Sequence, residues 1–110
     1  MRMWMVDPSK MCRKHLLGEH VELHMYVGHL RLKRRVDRYV TNNLLETRAI
    51  ESRHEELVEE MKRRGYDHKS PIKKPRVFDL PIEHQNSTVD RELALKELLR
   101  RCPECREMHK

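Results

Sequence analysis

Hydrophobic positions recur at helical spacing in three stretches of the chain. At the ideal helical step of about 100° per residue, Cys12, Leu16, Leu23, Val27 and Leu30 fall within an arc of about 60°. Asp7 can cap this helix and Pro8 suits its first position, so the pattern predicts a helix over 8–30. Ile50, His54, Leu57 and Met61 repeat at i, i+4, i+7 and i+11 and predict a second helix over 48–64. Acidic residues crowd its start, Lys62, Arg63 and Arg64 its end, and Gly65 supplies the stop. A third helix is predicted over 88–101, with Ser87 and Asp90 as a capping box, Leu95, Leu98, Leu99 and Cys102 as its apolar side and Pro103 as its end. A short helix is expected within 36–44, and residues 66–86, with three prolines and no period, read as an ordered surface loop. No stretch alternates as a strand would. The expected fold is all-α, a single compact domain of three main helices spanning 1–110, with 86–110 supplying the last helix and its tail.

Composition narrows the function. A chain of 110 residues can bury one modest core. Charged residues make up 38% of it and the net charge is +6 before any histidine protonates, a balance that favours a polyanionic partner. The basic residues come in runs. Arg31, Lys33, Arg34, Arg35 and Arg38 form one, Lys62, Arg63 and Arg64 another, and Lys73, Lys74 and Arg76 a third. Three runs in so short a chain predict a phosphate-binding face. One Trp, three Tyr and one Phe are too few for a base-stacking platform, so double-stranded DNA is expected rather than single strands. The first ten residues lack the apolar run of a secretion signal, no segment reaches the ~20 apolar residues of a membrane span, and cysteines number three. These features predict a protein of the reducing cytoplasm, without a membrane partner, acting as a monomer.

The stretch HLLGEHVELHMYVGH, residues 15–29, carries four histidines and two glutamates. His15, Glu19, Glu22 and Tyr26 share a second arc of about 60° beside the apolar stripe. Groups at the edge of a core lose water, and desolvation moves their proton affinities toward those of acid/base catalysts. His20 and His24 are spaced to share a metal ion, but the sequence positions no third ligand. CPEC, residues 102–105, is half a zinc site, with Cys12 and His109 as the candidates to complete it. Neither set is complete as a sequence, and no metal is assigned to either.

These residues carry a resemblance. The pattern His15-Leu16, Glu19, Glu22-Leu23 and Gly28 resembles that of the bacteriophage pyrimidine dimer DNA glycosylases, also called phage endonuclease V. ELVEEMKRRGYDHK, residues 56–69, resembles a second segment of that family, in the same order and relative placement. The resemblance implies a small all-α enzyme whose own N-terminal α-amine is the nucleophile. That role falls on Met1, with Arg2 on the arginine that follows it, Glu22 on the catalytic glutamate, and His15 and Glu19 on the helix histidine and first glutamate. An arginine at position 2 is expected to preserve the initiator methionine. The implied chemistry is base excision through an imine, followed by β-elimination at the abasic site, with no cofactor. An α-amine suits it, because its reference pKa of about 7.7–8.0 leaves a neutral fraction near pH 7. DNA contacts are expected from Arg2, Arg13, Lys14, Arg31, Lys33, Arg34, Arg35, Lys73, Lys74 and Arg76. The chain departs from the family at Val21 and Met25, where relatives carry arginines, and in its CPECREMHK ending, where the family's type member has an aromatic and basic tail. The excised base is therefore left open.

A second reading keeps the basic face and discards the catalysis. It is a non-catalytic DNA-binding module or small metal-dependent regulator, using His20 and His24 or Cys102 and Cys105 for metal. The two readings part at Met1, which the first packs against Glu22 and the second leaves in solvent.

Overall fold

A computed structural model describes residues 1–68 and 70–110. Among the described residues it holds six α-helices and no strand: α1 (Arg13–Arg31), α2 (Asp37–Thr41), α3 (Ile50–Arg63), α4 (Ile82–Gln85), α5 (Arg91–Arg101) and α6 (Pro103–Met108). Three of them, α1, α3 and α5, carry the architecture, and the chain is a small all-α domain. Its radius of gyration of 13.8 Å is close to the ~13 Å expected of a packed globule of this length.

α1 and α3 pack against each other at the centre. Leu16, Leu23 and Tyr26 on α1 and Ile50, Leu57 and Met61 on α3 are buried. Leu30, at the end of the predicted stripe, is only partly covered. Between the two helices Arg53 donates to both oxygens of Glu19, at 2.7 and 2.9 Å, with both side chains buried. A buried carboxylate without its cation would be strongly destabilising, so the pair fixes how α1 lies on α3.

The first helix does not run from 8. Asp7 does cap a turn, accepting from the Ser9 amide at 3.0 Å, but the turn is a single 3-10 turn over Pro8–Lys10. Met11 and Cys12 are then extended, and α1 begins at Arg13. The break turns Met11 and Cys12 fully into the core. Arg64 at the end of α3 stabilises it, donating to the carbonyls of Pro8 at 3.1 Å and Met11 at 2.7 Å.

Helix ends explain the rest of the path. α3 stops as predicted at Gly65, whose φ of +83° allows the Gly65 amide to reach Lys62 O and the Tyr66 amide to reach Met61 O, both at 2.9 Å. α1 closes with the same pair of bonds around Lys33, at φ +56°. Ser87 is not a helix cap: it is buried and donates to Leu45 O, while Asp90 alone caps α5, accepting from Leu93 N at 3.0 Å. Pro103 does not finish the chain's helical structure either. It opens α6, because a proline is well suited to the first position of a new helix once Cys102 has turned extended. The expected loop over 66–86 contains a 3-10 turn at Val77–Asp79 and α4.

Candidate active site

Residues 1–6 run antiparallel to the first half of α1. The backbone amide of Arg2 donates to Glu22 Oε2 at 3.1 Å, and two residues on, the Trp4 ring meets the edge of His15 with centroids 5.6 Å apart. Met3, Trp4 and Val6 are buried, and the Met3 amide donates to Leu44 O at 2.8 Å, so the segment is part of the core. The Arg2 guanidinium lies over the Trp4 ring, 3.9 Å from its centroid. Met1 is half-buried and packs against the core. Among the described residues its α-amine makes no hydrogen bond or ion pair with Glu22. The contact comes from the next amide, three covalent bonds along the chain.

The predicted arc of titratable groups divides by environment. Glu22 is half-buried, with the Arg2 amide on one oxygen. Glu19 is buried and has both oxygens on Arg53, which leaves it holding helices together. The Tyr26 hydroxyl is buried without a hydrogen-bond partner among the described residues; burial pushes this phenol well above its ordinary range, and Tyr39 and Glu22 push it the same way. Burial, then the nearby Lys14, holds His15 below the usual histidine value and favours the neutral ring. Val21 and Met25 flank Glu22 on α1 and are 55% and 45% exposed, an apolar rim beside the carboxylate.

The structure gathers two of the basic runs. Arg31, at the end of α1, and Lys33, Arg34 and Arg35, just after it, face Lys73, Lys74 and Arg76 across a groove of about 870 Å³. Arg31, Lys33, Arg34, Lys73 and Lys74 have no ion pair among the described residues, so their charges are available to a ligand. Arg35 and Arg76 are partly offset by Asp37 at 3.0 Å and Asp79 at 3.9 Å. In the remaining run, Lys62 to Arg64, Arg63 and Arg64 are both held by Glu60. Arg13 and Lys14 are exposed on the first turn of α1, and Arg13 leans over the Tyr66 ring at 5.0 Å.

Two further clusters were only half visible in the sequence. Cys12, Cys102 and Cys105 are buried, unpaired thiols that meet His15, not His109. Their four potential ligand atoms lie within 4.8 Å of one another. On another side of α1, His20 meets His54 of α3 and His68 of the following loop, again within 4.8 Å. The His24 ring stands edge-on to His20 and His54, at 4.9 and 5.1 Å. Burial and the three neighbouring rings push His20 down to about 4, so it is neutral at physiological pH. His54 reads as core in the sequence because it falls in the apolar stripe of α3, and His68 lies in a segment without period.

No helix among the described residues is long and apolar enough to cross a membrane. No curated protein and no solved structure matches the chain. The family model for pyrimidine dimer DNA glycosylase matches residues 1–74. That span takes in the docked N-terminal segment, all of α1 with Glu22, all of α3, and both Lys73 and Lys74 of the groove. With 74 of its 110 residues matched, the chain belongs to the pyrimidine dimer DNA glycosylase family.

Proposed function

We propose that this protein excises a damaged pyrimidine from duplex DNA and then cleaves the strand at the resulting abasic site, using the Met1 α-amine as nucleophile and Glu22 as its acid/base partner. The observation that carries this reading is the Arg2 amide on Glu22, which holds the start of the chain against a half-buried carboxylate. In the proposed sequence the neutral amine attacks C1′ and the base leaves with the glycosidic electron pair. A proton then passes from nitrogen to O4′ as the nitrogen lone pair breaks the C1′–O4′ bond, which opens the sugar ring as a hydroxyl and gives a cationic imine. Removal of a C2′ proton then expels the 3′ phosphate by β-elimination, and water releases the enzyme. Glu22 steers the amine, stabilises the cation and carries the protons. His15 and Glu19 act as positioning residues, the first against Trp4 and the second through Arg53. Arg2, Arg13 and Lys14 contact phosphate near the lesion, and the groove at the end of α1 holds the flanking duplex. The nucleotide must leave the stack to be reached, and a damaged base lowers that cost. The Val21 and Met25 rim offers it apolar contact where relatives place arginines.

The test is borohydride trapping on dimer-containing, abasic and undamaged duplexes, with intact mass fixing the first residue. A covalent complex is expected on the first two substrates, at the Met1 peptide. A chain blocked at the N-terminus by an uncleaved tag should form none. Trapping at the native rate by the blocked chain would make a lysine the nucleophile and overturn the assignment to Met1.

A further inference from the structure

Cys12 and His15 stand at the cap and third position of α1, and Cys102 and Cys105 at the cap and third position of α6. The two pairs face each other. Cys12 Sγ is 3.2 Å from His15 Nδ1 and 3.7 Å from Cys102 Sγ, and Cys105 Sγ is 3.8 Å from His15 Nδ1. A disulfide would bring two sulfurs to about 2.05 Å. Tetrahedral zinc, with Zn–S of about 2.3 Å and Zn–N of about 2.0–2.1 Å, sets sulfur–sulfur edges near 3.8 Å and sulfur–nitrogen edges near 3.6 Å. The observed spacings scatter about those edges. Backbone amides also aim at the sulfurs, Cys12 N at Cys105 Sγ (3.3 Å) and Cys105 N at Cys102 Sγ (3.4 Å), as they do where thiolates are metal ligands. We propose that Cys12, His15, Cys102 and Cys105 bind one Zn²⁺ in a closed structural site. Three soft thiolates and an imidazole select zinc over hard cations, and four protein ligands leave no open position for chemistry. The ion pins α6, which lies beyond the family match, to the first turn of the helix that carries Glu22, and it replaces the expectation of a metal-free protein.

The deciding measurements use the full, unmutated chain, so that the outcome does not depend on whether a serine variant folds. After dialysis against metal-free buffer, thiols are titrated with a mercurial while a chromogenic chelator reports zinc. One zinc is expected to appear per three thiols titrated. Replacing it with Co²⁺ should give thiolate-to-cobalt charge transfer in the near ultraviolet, and Cys105→Ser should lose that absorption. Metal removal should lower Tm and strip hydrogen-exchange protection from residues 102–108. Cobalt spectra without charge transfer, on a chain with its three thiols reduced, would overturn the site. Trapping by borohydride is a separate readout, so failure of either proposal is visible without the other.

The histidine cluster supports a second site on independent grounds. His20 Nε2 is 3.1 Å from His54 Nε2 and 2.9 Å from His68 Nε2, so three ring nitrogens aim at one point. A neutral imidazole Nε2 is one donor or one acceptor, and His54 Nε2 also faces Ser70 O at 3.2 Å, so these atoms do not satisfy each other one to one. Metal–nitrogen bonds of about 2.1 Å at right angles set edges near 3.0 Å. His54 Nδ1 is buried without a hydrogen-bond partner among the described residues, and the Glu55 carboxylate stands 3.6 Å from it, where a small shift would make it the outer partner of a ligating histidine. We infer that His20, His54 and His68 cap a divalent transition-metal ion on three sides. In a cobalt titration this site should add visible bands without charge transfer, retained in Cys105→Ser and lost in His68→Gln, whose half-exposed position spares the core. Retention of those bands in His68→Gln, or their absence in the wild type, would rule the site out.

Discussion

At the residue scale, two glutamates one helical turn apart on α1 have opposite surroundings. Glu19 is buried on Arg53, and Glu22 stands half-buried with one amide on it. Truncating one partner of a buried pair strands the other charge, so Glu19→Gln should lower unfolding free energy by about 3–5 kcal/mol in urea melts. Glu22→Gln should leave the melt within about 1 kcal/mol while reducing single-turnover excision by roughly 10²–10⁴-fold, the range for a lost general acid/base. A similar stability loss in both variants would show that Glu22 is a structural group. The two residues look alike in the sequence because the arc holding them is defined only by helical period. Which carboxylate meets a cation depends on Arg53, distant in the chain, and no local pattern carries that.

At the element scale, the helices were legible wherever period and punctuation coincide. Ile50, Leu57 and Met61 followed by Gly65 gave α3 nearly to its ends. The interruption at Met11 was not legible, because Asp7 and Pro8 carry the signals of a helix start while the break is held from outside by Arg64. The Cys-x-x-Cys half of the sulfur cluster is plain in the sequence, but the histidine nearest to it there is His109, whereas folding brings His15. The turn ending α1 holds another consequence. Lys33 occupies the left-handed region at φ +56°, where a side chain costs about 1–2 kcal/mol and glycine does not. Lys33→Gly should therefore raise stability by about 1 kcal/mol. The same change removes a charge from the basic groove, so duplex affinity should fall. Calorimetry and DNA titration on one variant would read the opposed signs, and a loss of stability would contradict the strain.

At the scale of the whole molecule, the runs around 31–35 and 73–76 were each visible as charge, and only the fold shows that they line one groove. Binding there should follow counterion release. The logarithm of duplex affinity should fall linearly with the logarithm of salt, and replacing Lys73 and Lys74 with alanine should reduce the slope by about 2. An unchanged slope would move the phosphate contacts elsewhere. The sulfur cluster acts at the same scale but in time. Cys12 and Cys105 are 93 positions apart, and the amide of one rests on the sulfur of the other. At synthesis rates of about 5–20 residues per second, roughly 5–19 s separate their emergence from the ribosome. Through nearly all of that interval the Cys12 thiol has only His15 beside it in the chain, and the two cysteines that complete its surroundings do not yet exist. The helix bearing Glu22 can form early, but its first turn acquires its full set of neighbours only when residue 105 has been made.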